Sequence, residues 1–151
     1  MTTNDHPSGM KIYFAGSIRG GRKDQEQYKK LIDYLRNFGT VLTEHVGLEA
    51  PEKNSENGLQ DSEIYERDMK WIAEANALVA EVTVPSLGVG YEIRRAIDLQ
   101  IPVLCLFRPH EEHQLSAMIS GSPHVNVIVY SSINEAFTAI QLFIDNCVLT
   151  K

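Results

Sequence analysis

Short apolar runs alternate with amphipathic stretches along this chain. "KIYFA" (11–15) is apolar, with aromatic and β-branched members, and predicts a buried strand. In "DQEQYKKLIDYLRNFG" (24–39), Tyr28, Leu31, Ile32, Leu35 and Phe38 recur at three- and four-residue steps and Gly39 follows, which predicts a C-capped amphipathic helix. "TVLTE" (40–44) reads as a second strand, and the polar, breaker-rich "GLEAPEKNSENGLQ" (47–60) as an exposed loop. "DSEIYERDMKWIAEA" (61–75) is helical in pattern, with Asp61 or Ser62 as N-cap. "ALVAEVTV" (77–84) predicts a third strand, running through "PSLGVGYE" (85–92) into a helix over 90–100. "IPVLCLF" (101–107) and "VNVIVY" (125–130) predict strands four and five, with a short helix near 113–121 and a closing helix over 134–148.

Strands that are apolar without alternation, each followed by a helix, are the mark of a parallel sheet covered on both sides. Five of them in this rhythm predict a flavodoxin-like (Rossmann-like) α/β fold, strand order 2-1-3-4-5, with helices on both faces. In that order strands one and three are neighbours and the topology reverses between them, so ligands bind at their carboxyl ends. The loops there are "GSIRGGR" (16–22) and "PSLGVGYE". Residues 1–10 read as a disordered tail and 11–148 as a single domain.

Composition narrows the function. At 151 residues, 43% apolar and 23% charged, the chain fits one soluble domain, and a net charge of −6 argues against a polymeric nucleic acid or an anionic membrane as partner. An anionic ligand has to be small and held locally. Cys105 and Cys147 lie in apolar surroundings and read as buried free thiols. The polar N-terminus has no signal-peptide pattern, and no apolar run approaches the roughly 20 residues of a membrane span. The expected location is cytoplasmic, with the nucleus also open to such a protein.

"GSIRGGR" is neither a Walker A loop nor a G-x-G-x-x-G fingerprint. It has the physics of a phosphate cradle all the same. Its glycines let backbone N–H groups approach an anion, Ser17 adds a hydroxyl, the following helix offers its positive end, and Arg19 or Arg22 adds charge. A plain tight turn with solvated arginines is the bland alternative. "SLGVG" contributes Ser86 and two further glycines to the same crevice, which favours an anion site there.

Two carboxylates stand on apolar helix stripes. Asp68 lies four residues from both Ile64 and Ile72, on the stripe that includes Trp71 and Ala75. Glu92 sits among Val89, Ile93, Ala96 and Ile97. Such groups are paired or solvated, with Arg94 or Arg95 as structural partners, or they do chemistry. Glu92 is expected in the first turn of its helix, where the helix N-terminus keeps it ionised and nucleophilic. Tyr13, on the first strand, is placed to hold a carboxylate. Two carboxylates beside an anion cradle suggest glycosidic chemistry. His45 faces the same side, whereas His110, His113 and His124 lack metal-ligand spacing and read as surface residues.

The stretches "YFAGSIRGGR", "VLTEH", Asp68, "AEVTVPSLGVGYE", "LCLFRP" and "LSAMI" together resemble the 2′-deoxynucleoside 5′-monophosphate N-glycosidases of the nucleoside 2-deoxyribosyltransferase group, over about residues 11–120. The resemblance implies hydrolysis of a deoxynucleoside monophosphate to free base and 2-deoxyribose 5-phosphate, with no cofactor and no metal. It makes Glu92 the nucleophile that forms a deoxyribosyl ester, Tyr13 its orienting partner, and Asp68 the proton-transfer group. Ser17, Arg19, Gly20 and Ser86 correspond to the phosphate cradle, with Gly16, Ile18, Gly21, Gly88 and Gly90 around the substrate and His45 and Ile64 near the base. Ser116 and Met118 match residues that reach the neighbouring site of a homodimer. Two other readings stay open at this point: transfer of the deoxyribosyl group to a second base, and a nucleotide-binding module without catalysis.

Overall fold

A computed structural model describes residues 10–18, 22–47 and 58–149. The strands are β1 (Lys11–Gly16), β2 (Thr40–Val41), β3 (Ala77–Glu81), β4 (Val103–Phe107) and β5 (Asn126–Val129). All pair in parallel, in the expected order β2-β1-β3-β4-β5. The helices are α1 (Arg22–Leu35), α2 (Asp61–Glu74), α3 (Leu87–Asp98), the short α4 (Ala117–Ser120) and α5 (Ile133–Leu149), with a 3₁₀ turn at Glu44–Gly47.

The two-residue period of a strand sorts the core into two halves. Ile12 and Phe14 of β1, Val79 of β3, and Leu104 and Leu106 of β4 pack with Tyr28, Leu31, Ile140 and Phe143 of α1 and α5. Tyr13, Ala15, Leu78, Ala80 and Cys105 face the other way, onto Ile72, Val89, Ile93 and Ala96 of α2 and α3. Each fully buried Leu or Ile stabilises the fold by about 1.5–3 kcal/mol, so both faces are firmly held. Cys105 and Cys147 are both buried and form no disulfide, as expected. Among the described residues, no helix is long and apolar enough to cross a membrane.

Several boundaries differ from expectation, each for a local reason. Met10, assigned to the tail, is buried, and its carbonyl accepts from the Thr40 amide at 3.0 Å. Helix α1 ends at Leu35, before Gly39; a Cβ on Gly39 would stand 2.4 Å from the Met10 carbonyl oxygen. Gly39 therefore serves close backbone approach, not helix capping. Strand β2 is only two residues long, because the chain turns into the 3₁₀ segment. At α2 neither Asp61 nor Ser62 caps: the N-cap is Gln60, with no side-chain cap bond. Strand β3 stops at Glu81 and α3 starts at Leu87, where Ser86 Oγ accepts from the Val89 amide at 3.2 Å. Gly88 and Gly90 thus lie in the first turn of a helix and not in a loop. The expected loop 47–60 falls largely on residues 48–57, outside those described.

Candidate active site

The odd-numbered residues of β1 point toward α2 and α3, which brings Tyr13 under α3. Its ring is 1% exposed, and its hydroxyl donates to Glu92 Oε2. Glu92 stands one residue before the buried Ile93, at the edge of the α3 stripe. It lies in the second turn of α3, not the first, and burial pushes its carboxyl from 4.5 up to about 7. The expectation of a carboxylate held firmly ionised by the helix end is corrected here. Desolvation outweighs the dipole one turn further along, where the dipole's influence has faded.

The β1–α1 loop starts at Gly16, whose Cβ would meet the Tyr28 ring at 3.0 Å. Ser17 is buried and Ile18 is 46% exposed. Arg19, Gly20 and Gly21 lie outside the described residues, as does the side chain of Arg22. Ser86 caps α3, and Ser116 caps α4 in the same way, accepting from the Met118 amide at 3.2 Å. A hydroxyl that accepts a backbone N–H keeps its own hydrogen to donate, so both serines remain available to an anion.

Pro85, Ser86, Gly90, Leu115, Ser116 and Met118 border a cavity of about 600 Å³ between α3 and the segment that leads into α4. Neither Tyr13, Glu92 nor Asp68 lines it. Ser116 and Met118 therefore share space with Ser86 and Gly90 of their own chain but not with its Tyr13–Glu92 pair. At this edge Leu87 is 97% and Met118 82% exposed, while Gly88 faces solvent.

On α2, Arg67 Nε and Nη2 reach Asp68 Oδ1 at 3.0 and 2.9 Å. The same guanidinium lies 4.8 Å over the Trp71 ring, and Trp71 lies 5.8 Å from His45. Asp68 thus has Arg67 as partner, in place of the Arg94 or Arg95 expected of a structural pairing; Arg94 pairs instead with Asp98 at 2.8 Å. The pair escaped the periodicity argument because adjacent helical residues do not normally face each other. Ile64 is half-buried on the same helix. Tyr65 and Tyr91 join α2 to α3 through a 3.2 Å hydroxyl contact.

Two further clusters were not foreseen. Glu81, Thr83 and Tyr130 form a buried polar group at the strand ends. His110, Glu112 and His113 have donor atoms within 4.8 Å of one another, a convergence that histidine spacing alone could not reveal because it leaves out Glu112.

The chain that folds into this parallel sheet and pairs Tyr13 with Glu92 matches the nucleoside 2-deoxyribosyltransferase family model over residues 12–136, and it belongs to that family. The 5-hydroxymethyl-dUMP N-hydrolase of Tetraodon nigroviridis is 53% identical over 114 residues, 75% of this chain and 80% of its own. The protein of the same name from Homo sapiens is 50% identical over 117 residues, 77% of this chain and 67% of its own. Among solved structures, the CMP N-glycosidase BcmB of Clostridium botulinum has a TM-score of 0.65 at 19% identity, covering 87% of this chain and 98% of that one, which is a likeness of fold.

Proposed function

We propose that the protein hydrolyses the N-glycosidic bond of 2′-deoxynucleoside 5′-monophosphates, releasing the base and 2-deoxyribose 5-phosphate. The observation that carries this is the Tyr13–Glu92 hydrogen bond, formed between a strand and a helix whose adjoining turns hold Ser17 and Ser86. Its relatives' substrate names supply the class of nucleotide.

In the first step an ionised Glu92 oxygen attacks C1′. The C1′–N bond breaks, and its electron pair leaves with the base, which takes a proton from Asp68. In the second step water attacks C1′ of the deoxyribosyl ester and returns its proton to Asp68, and the Glu92 carboxylate is released. Burial suits Glu92 to this role because a poorly solvated carboxylate is a stronger nucleophile than one held by water. Tyr13 steers the reacting oxygen. Ser17 and Ser86, with Arg19 and the neighbouring glycines, take the 5′-phosphate, while His45 and Ile64 flank the base.

The working unit is a homodimer in which Ser116 and Met118 complete the neighbouring site. The exposed Leu87 and Met118 support this, since apolar side chains so fully uncovered are the usual content of an interface. The test is incubation with a panel of deoxynucleoside monophosphates, 5-hydroxymethyl-dUMP among them, with chromatography of the products. Free base and 2-deoxyribose 5-phosphate are expected in equal amounts. Products that appear only when a second base is added would identify a transferase instead.

A further inference from the structure

On the sheet face opposite Tyr13 and Glu92, hydrogen bonds close a ring through four parts of the chain. Glu81, 1% exposed at the end of β3, accepts from the Thr83 amide at 2.7 Å through Oε1 and from the Tyr130 hydroxyl through Oε2. Thr83 Oγ1 in turn accepts from the Arg108 amide, just past β4, at 2.9 Å. The Arg108 guanidinium donates to Asp24 of α1 at 2.8 Å. Gln27, three residues further along α1, closes the ring by donating to the Tyr130 hydroxyl at 3.4 Å.

The ring starts and ends on the first turns of α1, directly after the β1–α1 loop, and passes through the first residues of the β3–α3 loop that leads to Ser86. Tyr28 of α1 lies beside it, with its ring against Gly16. A carboxyl group in so apolar a place is costly unless its acceptor sites are filled, and here both oxygens are. Burial also pushes the Glu81 carboxyl above the ordinary carboxylate value.

We propose that Glu81 is a positioning residue for the phosphate-binding end of the site, setting the separation of the β1–α1 and β3–α3 loops through this ring. The proposal rests on the reading of those loops as the phosphate cradle. Because the ring lies across the sheet from the nucleophile pair, loosening it moves Ser17 and Ser86 relative to each other and leaves Tyr13 and Glu92 in place. Phosphate affinity then changes more than the chemical step.

Three variants test this: Glu81→Ala, which opens the ring; Tyr130→Phe, which removes one hydroxyl and keeps the packing; and Glu81→Gln, which keeps the shape and the acceptor for the Thr83 amide. Glu81→Ala is expected to raise KM for a deoxynucleoside monophosphate about tenfold, and Tyr130→Phe to raise it about threefold. In both, kcat stays within about threefold and the KM of the unphosphorylated nucleoside is unchanged. Glu81→Gln keeps the Thr83 contact but turns its amide N–H toward the Tyr130 hydroxyl, where the carboxyl oxygen accepted, so its KM should rise no more than that of Tyr130→Phe, about threefold. Equal losses on nucleotide and nucleoside, a loss in kcat alone, no change in Tyr130→Phe, or a Gln variant as impaired as the Ala variant would each overturn the proposal.

Calorimetry with 2-deoxyribose 5-phosphate separates this proposal from the hydrolase reading. A wild type that binds the sugar phosphate, with that binding weakened about threefold in Tyr130→Phe and about tenfold in Glu81→Ala, sustains the positioning role even if no base is released. A wild type that does not bind it removes the role.

Discussion

Replacing Glu92 by glutamine should make the folded protein less sensitive to alkaline pH. In the folded state the Glu92 carboxyl holds its proton up to about pH 7, against 4.5 for an ordinary glutamate. Between these values the folded chain binds more protons than the unfolded one, so stability falls as pH rises through the window and levels off above it. At about 1.4 kcal/mol per pH unit the cost of ionising Glu92 reaches about 2–3 kcal/mol, its remaining exposure trimming the upper figure. This is a large share of the 5–15 kcal/mol typical of a domain. Glutamine keeps the shape and carries no charge, so the stability difference between variant and wild type should grow by that amount from pH 4.5 to pH 8.5. Glu81, whose carboxyl is also raised, is common to both proteins and cancels. Urea unfolding at the two pH values reads the effect as a midpoint difference that widens by about 1–1.5 M. A midpoint difference that is the same at both pH values would show that Glu92 is as well solvated folded as unfolded, and the argument from burial would fail.

Other predictions follow from the same geometry. Tyr13→Phe removes the hydrogen bond that favours the ionised carboxylate, so the acid limb of the kcat/KM profile, expected near pH 7 in the wild type, should move to higher pH; an unmoved limb would detach Tyr13 from Glu92. Tyr28→Phe deletes a buried hydroxyl that lies against the Ser17 backbone without a well-formed hydrogen bond, so urea stability should stay level or rise by about 1 kcal/mol, and a loss of that size would show that the Ser17 contact is a full bond. On the proposed homodimer, in which Ser116 completes the partner's site, mixing Ser116→Ala with Glu92→Gln chains should restore part of the activity, because one site of each mixed dimer would be whole. Verified subunit exchange without recovery would confine Ser116 to its own chain.

Strand order was legible because it follows from a small set of rules. Five apolar runs separated by amphipathic helices leave few topologies, and parallel crossovers exclude most of those. Boundaries were less so, since they depend on contacts distant in sequence. Gly39 looks like a helix cap until the Met10 carbonyl is found against it. Gly88 and Gly90 look like loop residues until Ser86 is seen to cap the helix that contains them. The displacement of that helix start also explains the misjudged charge state of Glu92. A start at Gly90 would have set its carboxyl at the positive end of the dipole, whereas a start at Leu87 leaves it a turn deeper, where desolvation governs.

The site was legible on one face of the sheet and not on the other, and the reason is the kind of signal each face emits. Glu92 and Asp68 interrupt helical stripes, where a polar residue breaks a period that the eye follows. Glu81 interrupts "ALVAEVTV", a strand buried on both faces, where no period exists to be broken. The physical signal was present even so. A lone carboxyl in a run that must be buried has to find donors, and those nearest in a parallel sheet lie just past the ends of the neighbouring strands. Thr83 and Tyr130, past the ends of β3 and β5, are the donors to Glu81, and Arg108, past β4, donates to Thr83. Glu81 is thus the acceptor on which donors from beyond β3 and β5 converge.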